Sequence, residues 1–532
     1  MVTPSGDADR AASVTLRPMG ERAVLAEVAD LAGVVALHAA LAVAPPAGVE
    51  ELVPAARTVL VVFDPRRMGR AAVEEWIRHA ALSPAGAVPP GPLVEVPVRY
   101  DGADLDETAA LLGIPAGDLV ARHAGVEWTV AFTGFAPGFA YLVSADWPFD
   151  VPRLAQPRTR VPAGAVGIAS AFSGAYPRET PGGWRLIGST DAVLFDPDAA
   201  TPVLLPPRAR VRFVPERERV AAGPLATPPP PEASPGSAPS LAVATADARP
   251  ALRVLHPGAF TTVQDLGRAG RAALGVARSG ALDRRALRVA NRLVGNDEAA
   301  AGLEIALGGF VARAERDAWV CVTGALVDVV VDGRAVDAYA PQFVLAGAEV
   351  RLGSARAGLR AYLAVRGGIA APAALGSRAR DVLAGLGPAP VRAGDVLHAG
   401  SAASAVPVVD AFPWTVPPSL HEVAVAEGPR AEWFAADAWA TLLDTPWSVS
   451  SDVDRVGVRL DGPALDRGRH DELPSEGMRP GAIQVPPHGR PVVLLADGPV
   501  TGGYPVIGVV TDAALDTLAQ VRPGDRVRFR RA

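Results

Sequence analysis

The sequence predicts a mainly β protein of several domains, opened by a small α+β unit. Two features of composition and one of order point there. Glycine (54) and proline (52) are both frequent among the 532 residues, while aromatics are only 5%; many turns joining short strands produce that balance. Hydrophobic residues make up 49% and charged residues 20%, a globular composition, and the length corresponds to about three to four domains. The same order of turn and strand signals also occurs twice. Arg160-Val161-Pro162-Ala163-Gly164, Gly174-Ala175-Tyr176-Pro177, Leu186-Ile187-Gly188 and Val211-Arg212-Phe213 are matched by Met478-Arg479-Pro480-Gly481-Ala482, Gly503-Tyr504-Pro505, Val506-Ile507-Gly508 and Val527-Arg528-Phe529. Equal order with unequal gaps predicts two β-barrels of one kind, facing each other as a pseudo-dimer and relating Tyr176 to Tyr504. Chance similarity of Gly/Pro turns is the alternative.

Residues 1–12 are a polar tail. In 13–92, Val14 to Val28 alternates as a strand, Asp30 to Leu41 is an apolar helix, and 49–64 contains two strand-like halves. Residues 70–82 are an amphipathic helix, with Val73, Trp76, Ile77 and Ala80 at helical spacing. A βαββα order predicts a ferredoxin-like sandwich. Residues 93–218 begin with two helices between Asp104 and Gly125, with Asp104 and Glu107 as a capping pair. They continue as short strands between Gly/Pro turns, a barrel or sandwich. Residues 219–250 read as a linker: the run from Ala226 to Pro231 has no periodicity and few large apolar groups to offset ordering entropy. The second body divides at a Pro-rich break into 251–404 and 405–532. It reads as strands and turns around one helix, opened by Asp283 and stopped at Gly295.

Net charge is -6 with no basic run, so a nucleic-acid footprint is not expected. All 51 basic residues are arginine. Schiff-base chemistry and a phosphate loop built on lysine are therefore excluded, and a bound phosphate must be held by arginine, backbone N–H groups or a metal. Cys321, the only cysteine, rules out an intrachain disulfide and a cysteine-rich zinc site; its apolar neighbours predict a buried, inert thiol. The longest uncharged stretch, 31–49, is broken by Pro45 and Pro46 and leaves no apolar run long enough to span a bilayer. No signal-peptide pattern opens the chain, so the expectation is a soluble, cytoplasmic protein. HExxH, GxSxG and CxxC patterns do not occur, which leaves carboxylates, arginines, hydroxyls and backbone dipoles to carry chemistry.

Four clusters are candidates. In the run 132–142, Gly134 and Gly138 let backbone N–H groups converge on an anion beside aromatic walls; a tight structural turn is the alternative. Arg158 and Arg160, two apart on a strand, face one side and fork around a carboxylate or phosphate near Tyr176, or form a solvated strand face. Asp265 and Arg268 lie within eight residues of two hydroxyls and an amide, with capping and turn duty as the alternative for Asp265. Glu476, Gln484, Thr501, Gly502, Gly503 and Tyr504 either line a pocket or form a plain hairpin.

Together these motifs are more specific than singly. ELVPAARTVLVVFDP (51–65), FTGFAPGFAYL (132–142), PRTRVPAGAVGIA (157–169) and YPRETPGGWRLIGST (176–190) resemble the B subunit of bacterial 5-oxoprolinase, also described as KipI or allophanate hydrolase subunit 1. TTVQDLGRAG (261–270), the run 274–296, LEIALGG (303–309), VRGGI (365–369), the run 472–508 and RPGDRVRF (522–529) resemble the C subunit, also called KipA or allophanate hydrolase subunit 2. The resemblance implies a natural B–C fusion. A ferredoxin-like and a cyclophilin-like β-barrel domain would be followed by two linked β-barrel domains of related type. It also implies ATP-dependent conversion of 5-oxo-L-proline to L-glutamate with a separate 5-oxoprolinase A subunit, with ATP and Mg²⁺ as cofactors and no biotin on this chain. Because the strongest motif clusters occur in both halves, the site is expected where the two bodies meet. Arg158, Arg160, Tyr176 and Arg268 would hold carboxylate or phosphate there, with Gln484 beside them, while Asp265, Glu304, Glu476 and Tyr504 would be catalytic, the carboxylates holding Mg²⁺ or moving protons. Where the resemblance leads one to expect lysine after Tyr504-Pro505, this chain has Val506. Two other functions are compatible with the same modules: a biotin-dependent carboxyltransferase component like that of urea carboxylase, and a regulatory kinase inhibitor. A homo-oligomer is compatible with all three.

Overall fold

The computed structural model describes residues 14–82, 91–216, 247–402, 404–408 and 412–532. The N-terminal unit is a four-stranded antiparallel sheet in the order Thr15–Pro18, Ala23–Glu27, Thr58–Phe63, Val49–Pro54, packed with helices Leu31–Val43 and Arg70–Leu82. The stretch expected to form one strand folds instead as a hairpin. Gly20 adopts φ +72°, and Met19 N–H donates to Ala23 O at 2.9 Å. The extra strand occupies the outer sheet position of the ferredoxin-like arrangement. Asp30 starts the first helix by accepting from Gly33 N–H at 2.8 Å. Val24, Val34, Leu41, Val61, Phe63, Val73 and Ile77 form the core.

The internal repeat is structural. Around the first barrel the strands run Arg185–Ser189, Ala165–Ala169, Phe172–Ala175, Ala140–Val143, Trp128–Thr133, Arg210–Pro215, Leu93–Val98. Around the second they run Val506–Val510, Ala482–Gln484, Val492–Leu494, Gly457–Asp461, Pro446–Val453, Arg526–Arg531, Leu420–Glu427, and the circuit closes. In the first, the two ends meet at a bridge between Arg99 and Ser189. The last strand of each lies parallel to the first. Trp128 stands opposite Val211 and Trp447 opposite Val527. Each indole N–H donates five residues back, to His123 O at 3.0 Å and Leu442 O at 2.9 Å. One detail of the repeat is corrected. Small two-stranded sheets pair Arg158–Val161 with Thr180–Gly182 and Glu476–Gly477 with Thr501–Gly502. Tyr176 precedes its sheet's second strand, whereas Tyr504 follows it. The two tyrosines are therefore not equivalent.

The expected capping pair is also used differently. The Asp104 carboxylate accepts from both Arg158 terminal nitrogens (2.6 and 2.9 Å) and from Leu186 N–H (2.7 Å), while Glu107 pairs with Arg185 at 3.0 Å. Most of the linker reading, 219–246, lies outside the described residues, but Arg249 and Pro250 already belong to the strand Arg249–Pro257. Residues 249–399 form a six-stranded and a five-stranded sheet around one core that includes Leu252, Phe310, Val322, Leu352 and Leu363. Cys321 is buried in this unit, its thiol pushed up to about 12 by burial. The helix Arg284–Leu293 is capped by Asp283, which accepts from Ala286 N–H at 2.8 Å, and Gly295 takes φ +73° beyond its end. Two short helices, Ala438–Asp444 and Asp512–Leu518, were not legible as helices.

A buried ionic network joins these units. The Arg455 guanidinium donates to Asp497 through Nε (2.9 Å) and Nη2 (3.0 Å), to Glu304 through Nη1 (2.5 Å), and to Gly280 O (2.6 Å). Asp497 also accepts from the Ser279 hydroxyl (2.6 Å) and Val382 N–H (2.9 Å). Glu304 accepts from Leu282 N–H (3.0 Å) and the Tyr362 hydroxyl (2.8 Å). Burial alone would raise the Glu304 carboxyl, but the Arg455 and Arg360 guanidiniums hold it below the usual range.

Arg455→Met leaves the buried Asp497 carboxylate without its cation and Glu304 with Arg360 alone, and should cost about 3–5 kcal/mol, read as a lower melting temperature. Arg253→Met, which breaks a surface pair with Glu315 at 2.6 Å, should cost about 1 kcal/mol or less. The Asp283 carboxyl is pushed up to about 7 by burial, with Asp516 adding to the shift. The folded state thus keeps a proton that the unfolded chain releases near pH ~4, so this group lowers stability as pH rises from ~4 to ~7. Asp283→Asn, which keeps the helix cap, should flatten that part of a melting-temperature profile against pH.

Candidate functional site

Between the two barrels lies a cleft of about 470 Å³. The first barrel contributes Phe135, Phe139, Tyr141, Tyr176 and Trp184. The Phe139 ring stands edge-on to Tyr141 (5.1 Å), Tyr176 (5.1 Å) and Trp184 (5.2 Å), the arrangement that ring quadrupoles favour. The second barrel contributes Leu473, Ser475, Gln484, Thr501, Gly502, Gly503 and Tyr504. The barrels touch where Phe135 N–H donates to Thr501 Oγ1 at 2.9 Å. A Cβ on Gly134 would collide with that Thr501 side chain, so glycine is needed for the approach. The Tyr141 hydroxyl meets the Ser475 and Thr501 hydroxyls, and burial raises its pKa. Tyr176 is raised first by burial and then by Tyr141. Both phenols therefore stay protonated and can donate. The cation of the cleft is Arg153, paired with Glu472 at 3.3 Å with both side chains about half exposed or more. The arrangement can hold a small planar solute against aromatic walls, with hydroxyl and amide groups for its polar edge and a guanidinium for a carboxylate.

Tyr176, Gln484, Thr501, Gly502, Gly503 and Tyr504 thus come together, and Gly134 lies directly behind them. Gly138 takes φ +76° in the same turn, but its N–H donates to Leu274 O at 3.0 Å. The neighbouring N–H groups of Gly134, Ala136 and Phe139 also bond within the turn, so the backbone there presents no converging donors.

The remaining candidates are placed elsewhere. Arg158 is bound to Asp104, and Arg160, 77% exposed, pairs with Glu179 at 2.6 Å. Asp265 accepts from the Ser377 hydroxyl (2.6 Å), Arg378 N–H (2.7 Å) and Gly267 N–H (2.8 Å) and fastens that loop. Arg268 is fully buried and donates to Ala374 O and Ala379 O. Glu304 belongs to the Arg455 network. Glu476 faces a neighbouring chamber of about 290 Å³, where Arg17, Arg57, Arg430 and Arg469 converge and which shares Glu472, Leu473 and Ser475 with the cleft. Arg430 holds Glu476 Oε1; Oε2 is buried without a hydrogen-bond partner among the described residues.

Tyr141, Arg153, Ser475 and Trp184 were not singled out from the sequence. Three of them sit inside the motifs already quoted; Arg153 lies in Val151-Pro152-Arg153-Leu154 and carries no such signal. Among the described residues, no group of three or more His, Cys, Asp or Glu side chains could hold a metal ion. None of their helices is long and apolar enough to cross a membrane. Val506 is fully buried in a barrel strand, packed in a core with Met19 and Leu25 of the N-terminal sheet.

Comparison with known proteins accounts for both halves. Residues 14–205 match the family described as carboxyltransferase domain, subdomain C and D, and residues 274–531 match carboxyltransferase domain, subdomain A and B. The second half is 37% identical over 284 residues to the 5-oxoprolinase C subunit of Escherichia coli, covering 52% of this chain and 90% of that protein. Another 180 residues, 32% of this chain, are 42% identical to the 5-oxoprolinase B subunit of Escherichia coli O157:H7 and cover 80% of it. The crystal structure of TTHA0988 superposes with a TM-score of 0.82 at 36% identity, over 96% of this chain and 99% of that one. The chain belongs to the family of the 5-oxoprolinase B and C subunits, with both carboxyltransferase-like parts joined in one polypeptide.

Proposed function

We propose that this chain activates 5-oxo-L-proline with ATP, so that a separate 5-oxoprolinase A subunit opens the ring to L-glutamate. The observation that carries the reading is the aromatic cleft between a B-like and a C-like barrel, with one guanidinium at its edge. The lactam ring packs on Phe139, Tyr176 and Trp184. Arg153 exchanges Glu472 for the substrate carboxylate, and the Gln484 amide and the Ser475 and Thr501 hydroxyls meet the lactam edge. A lactam is a stable amide, and phosphorylation of its oxygen makes the ring carbon a better electrophile. The lactam oxygen bonds to the γ-phosphorus as the bond to ADP breaks; water then adds at the ring carbon, the C–N bond opens and phosphate leaves.

Phosphate must be held without lysine. The chamber beside the cleft supplies arginines, of which Arg57 has no ion-pair partner among the described residues. The chamber also contains Glu27, Glu432, Asp471, Glu472 and Glu476, so Arg57 is assigned the phosphate contact and its paired neighbours are not. Among the described residues, no group of three or more His, Cys, Asp or Glu side chains offers Mg²⁺ a cage. The carboxyltransferase description of both halves supports a second reading, in which the cleft receives a carboxyl group from biotin carried on another protein.

The purified chain alone should release no glutamate from 5-oxoproline, and glutamate should appear on addition of ATP together with the A subunit. Carboxyl transfer from carboxybiotin, with no ATP-dependent turnover, would favour the second reading. In the reconstituted reaction Arg153→Ala should raise KM for 5-oxoproline about tenfold or more and leave KM for ATP unchanged. Arg57→Ala should do the reverse, and Arg160→Ala should change neither.

A further inference from the structure

A second cavity, of about 450 Å³, lies away from the cleft, at the N-terminal end of the helix Arg284–Leu293. Its lining includes Asp283, Tyr339, Trp414, His421, Asp516 and Gln520. Two of these are carboxylates without an ion pair among the described residues. Asp283 caps its helix and accepts from Gln520 Nε2 at 2.8 Å; Asp516 accepts from Arg284 N–H at 3.0 Å. The nearby guanidiniums are committed elsewhere, Arg284 to Asp512 (3.6 Å) and Arg288 to Glu298 (3.8 Å). Arg285, at the rim, is exposed. Burial raises both carboxyls, in Asp516 against the pull of Arg284 and Arg288, and the Asp283 proton is further favoured by Asp516.

His421 is an independent indication. It is 1% exposed, and its Nε2 meets the Asp525 carboxylate at 3.1 Å. A carboxylate can only accept, so Nε2 carries the hydrogen, and in the neutral imidazole Nδ1 then holds a lone pair. That Nδ1 is buried without a hydrogen-bond partner among the described residues. The wall is aromatic: Trp414 stacks on Tyr339 at 4.9 Å and 11°, and Phe412 on the same ring at 5.7 Å and 12°. Two carboxylates and an imidazole lone pair need a donor with positive charge, and an aromatic wall favours both a cation and a flat apolar body.

We propose that this cavity binds a small organic primary ammonium, its charge held among Asp283, Asp516 and His421 Nδ1 and its body against Trp414 and Tyr339. The site is separate from the lactam cleft and does not rest on the activity assigned there. The test is calorimetric titration of the full chain with phenethylammonium and with phenethyl alcohol, its neutral counterpart. Phenethylammonium should bind saturably and at least about tenfold more tightly than the alcohol. Asp516→Asn should weaken the ammonium about tenfold or more without lowering the melting temperature, since it removes a partly buried charge that has no ion pair among the described residues. Trp414→Ala should weaken both ligands. Absence of saturable binding up to about 10 mM, equal affinity for the two ligands, or an ammonium affinity unchanged in Asp516→Asn would each overturn the proposal. If Asp516→Asn fails to fold, the ligand pair on the unaltered chain and Trp414→Ala decide it.

Discussion

The structure depends on keeping the Arg455 guanidinium paired while it is buried. A guanidinium cannot shed its proton, so once removed from water it must be met on every edge. Asp497 comes from its own barrel, Glu304 from the adjoining two-sheet unit, and Gly280 O from a loop of that same unit. Each partner is itself fixed by further donors. Asp497 carries Ser279 and Val382 N–H; Glu304 carries Leu282 N–H and Tyr362. Directional bonds of this kind set position, where apolar packing tolerates sliding. The neighbours of these residues then reach the cleft: Val456 beside Arg455, Leu383 beside Val382 and Pro499 two residues from Asp497 all line it.

The cleft follows from duplication. Two barrels with the same strand order can present related faces to each other, and the contact leaves a space because the facing loops differ. The first barrel brings rings, with Phe139, Tyr176 and Trp184 packed edge to face. The second brings short polar side chains and a Gly502-Gly503 turn. One wall supplies apolar area and the other supplies direction, which is what recognition of a small ring with a polar edge requires. The absence of lysine shifts every cationic role to arginine, whose planar fork is most effective when bidentate, as between Arg158 and Asp104. Such arginines are used up as structural cross-links. That is why clusters of arginine and carboxylate in this chain are more often joints than sites.

Local chemistry determined much from the sequence alone. Helical spacing placed the helix Arg70–Leu82, Asp283 and Gly295 marked the ends of another, and the twin motifs ending in Phe213 and Phe529 announced the repeated barrel. Cap, turn and apolar periodicity are properties of neighbouring residues, so they can be read along the chain. The residues Tyr176, Gln484, Thr501 and the glycines after it, which the fold brings to one cleft, were also legible as candidates, because they sit in motifs dense in glycine and aromatics. What only the tertiary structure decided was which polar groups remain free. Arg160 found Glu179, Asp265 found the 377–378 loop, Arg268 found two carbonyls and Glu304 found Arg455. Each of those partners is distant in sequence or reached only through a turn. Arg153 shows the converse: an unremarkable residue lines the cleft because the fold carries it there. A charged side chain becomes a joint or a site according to what lies within about 3 Å of it, and long-range packing sets that distance.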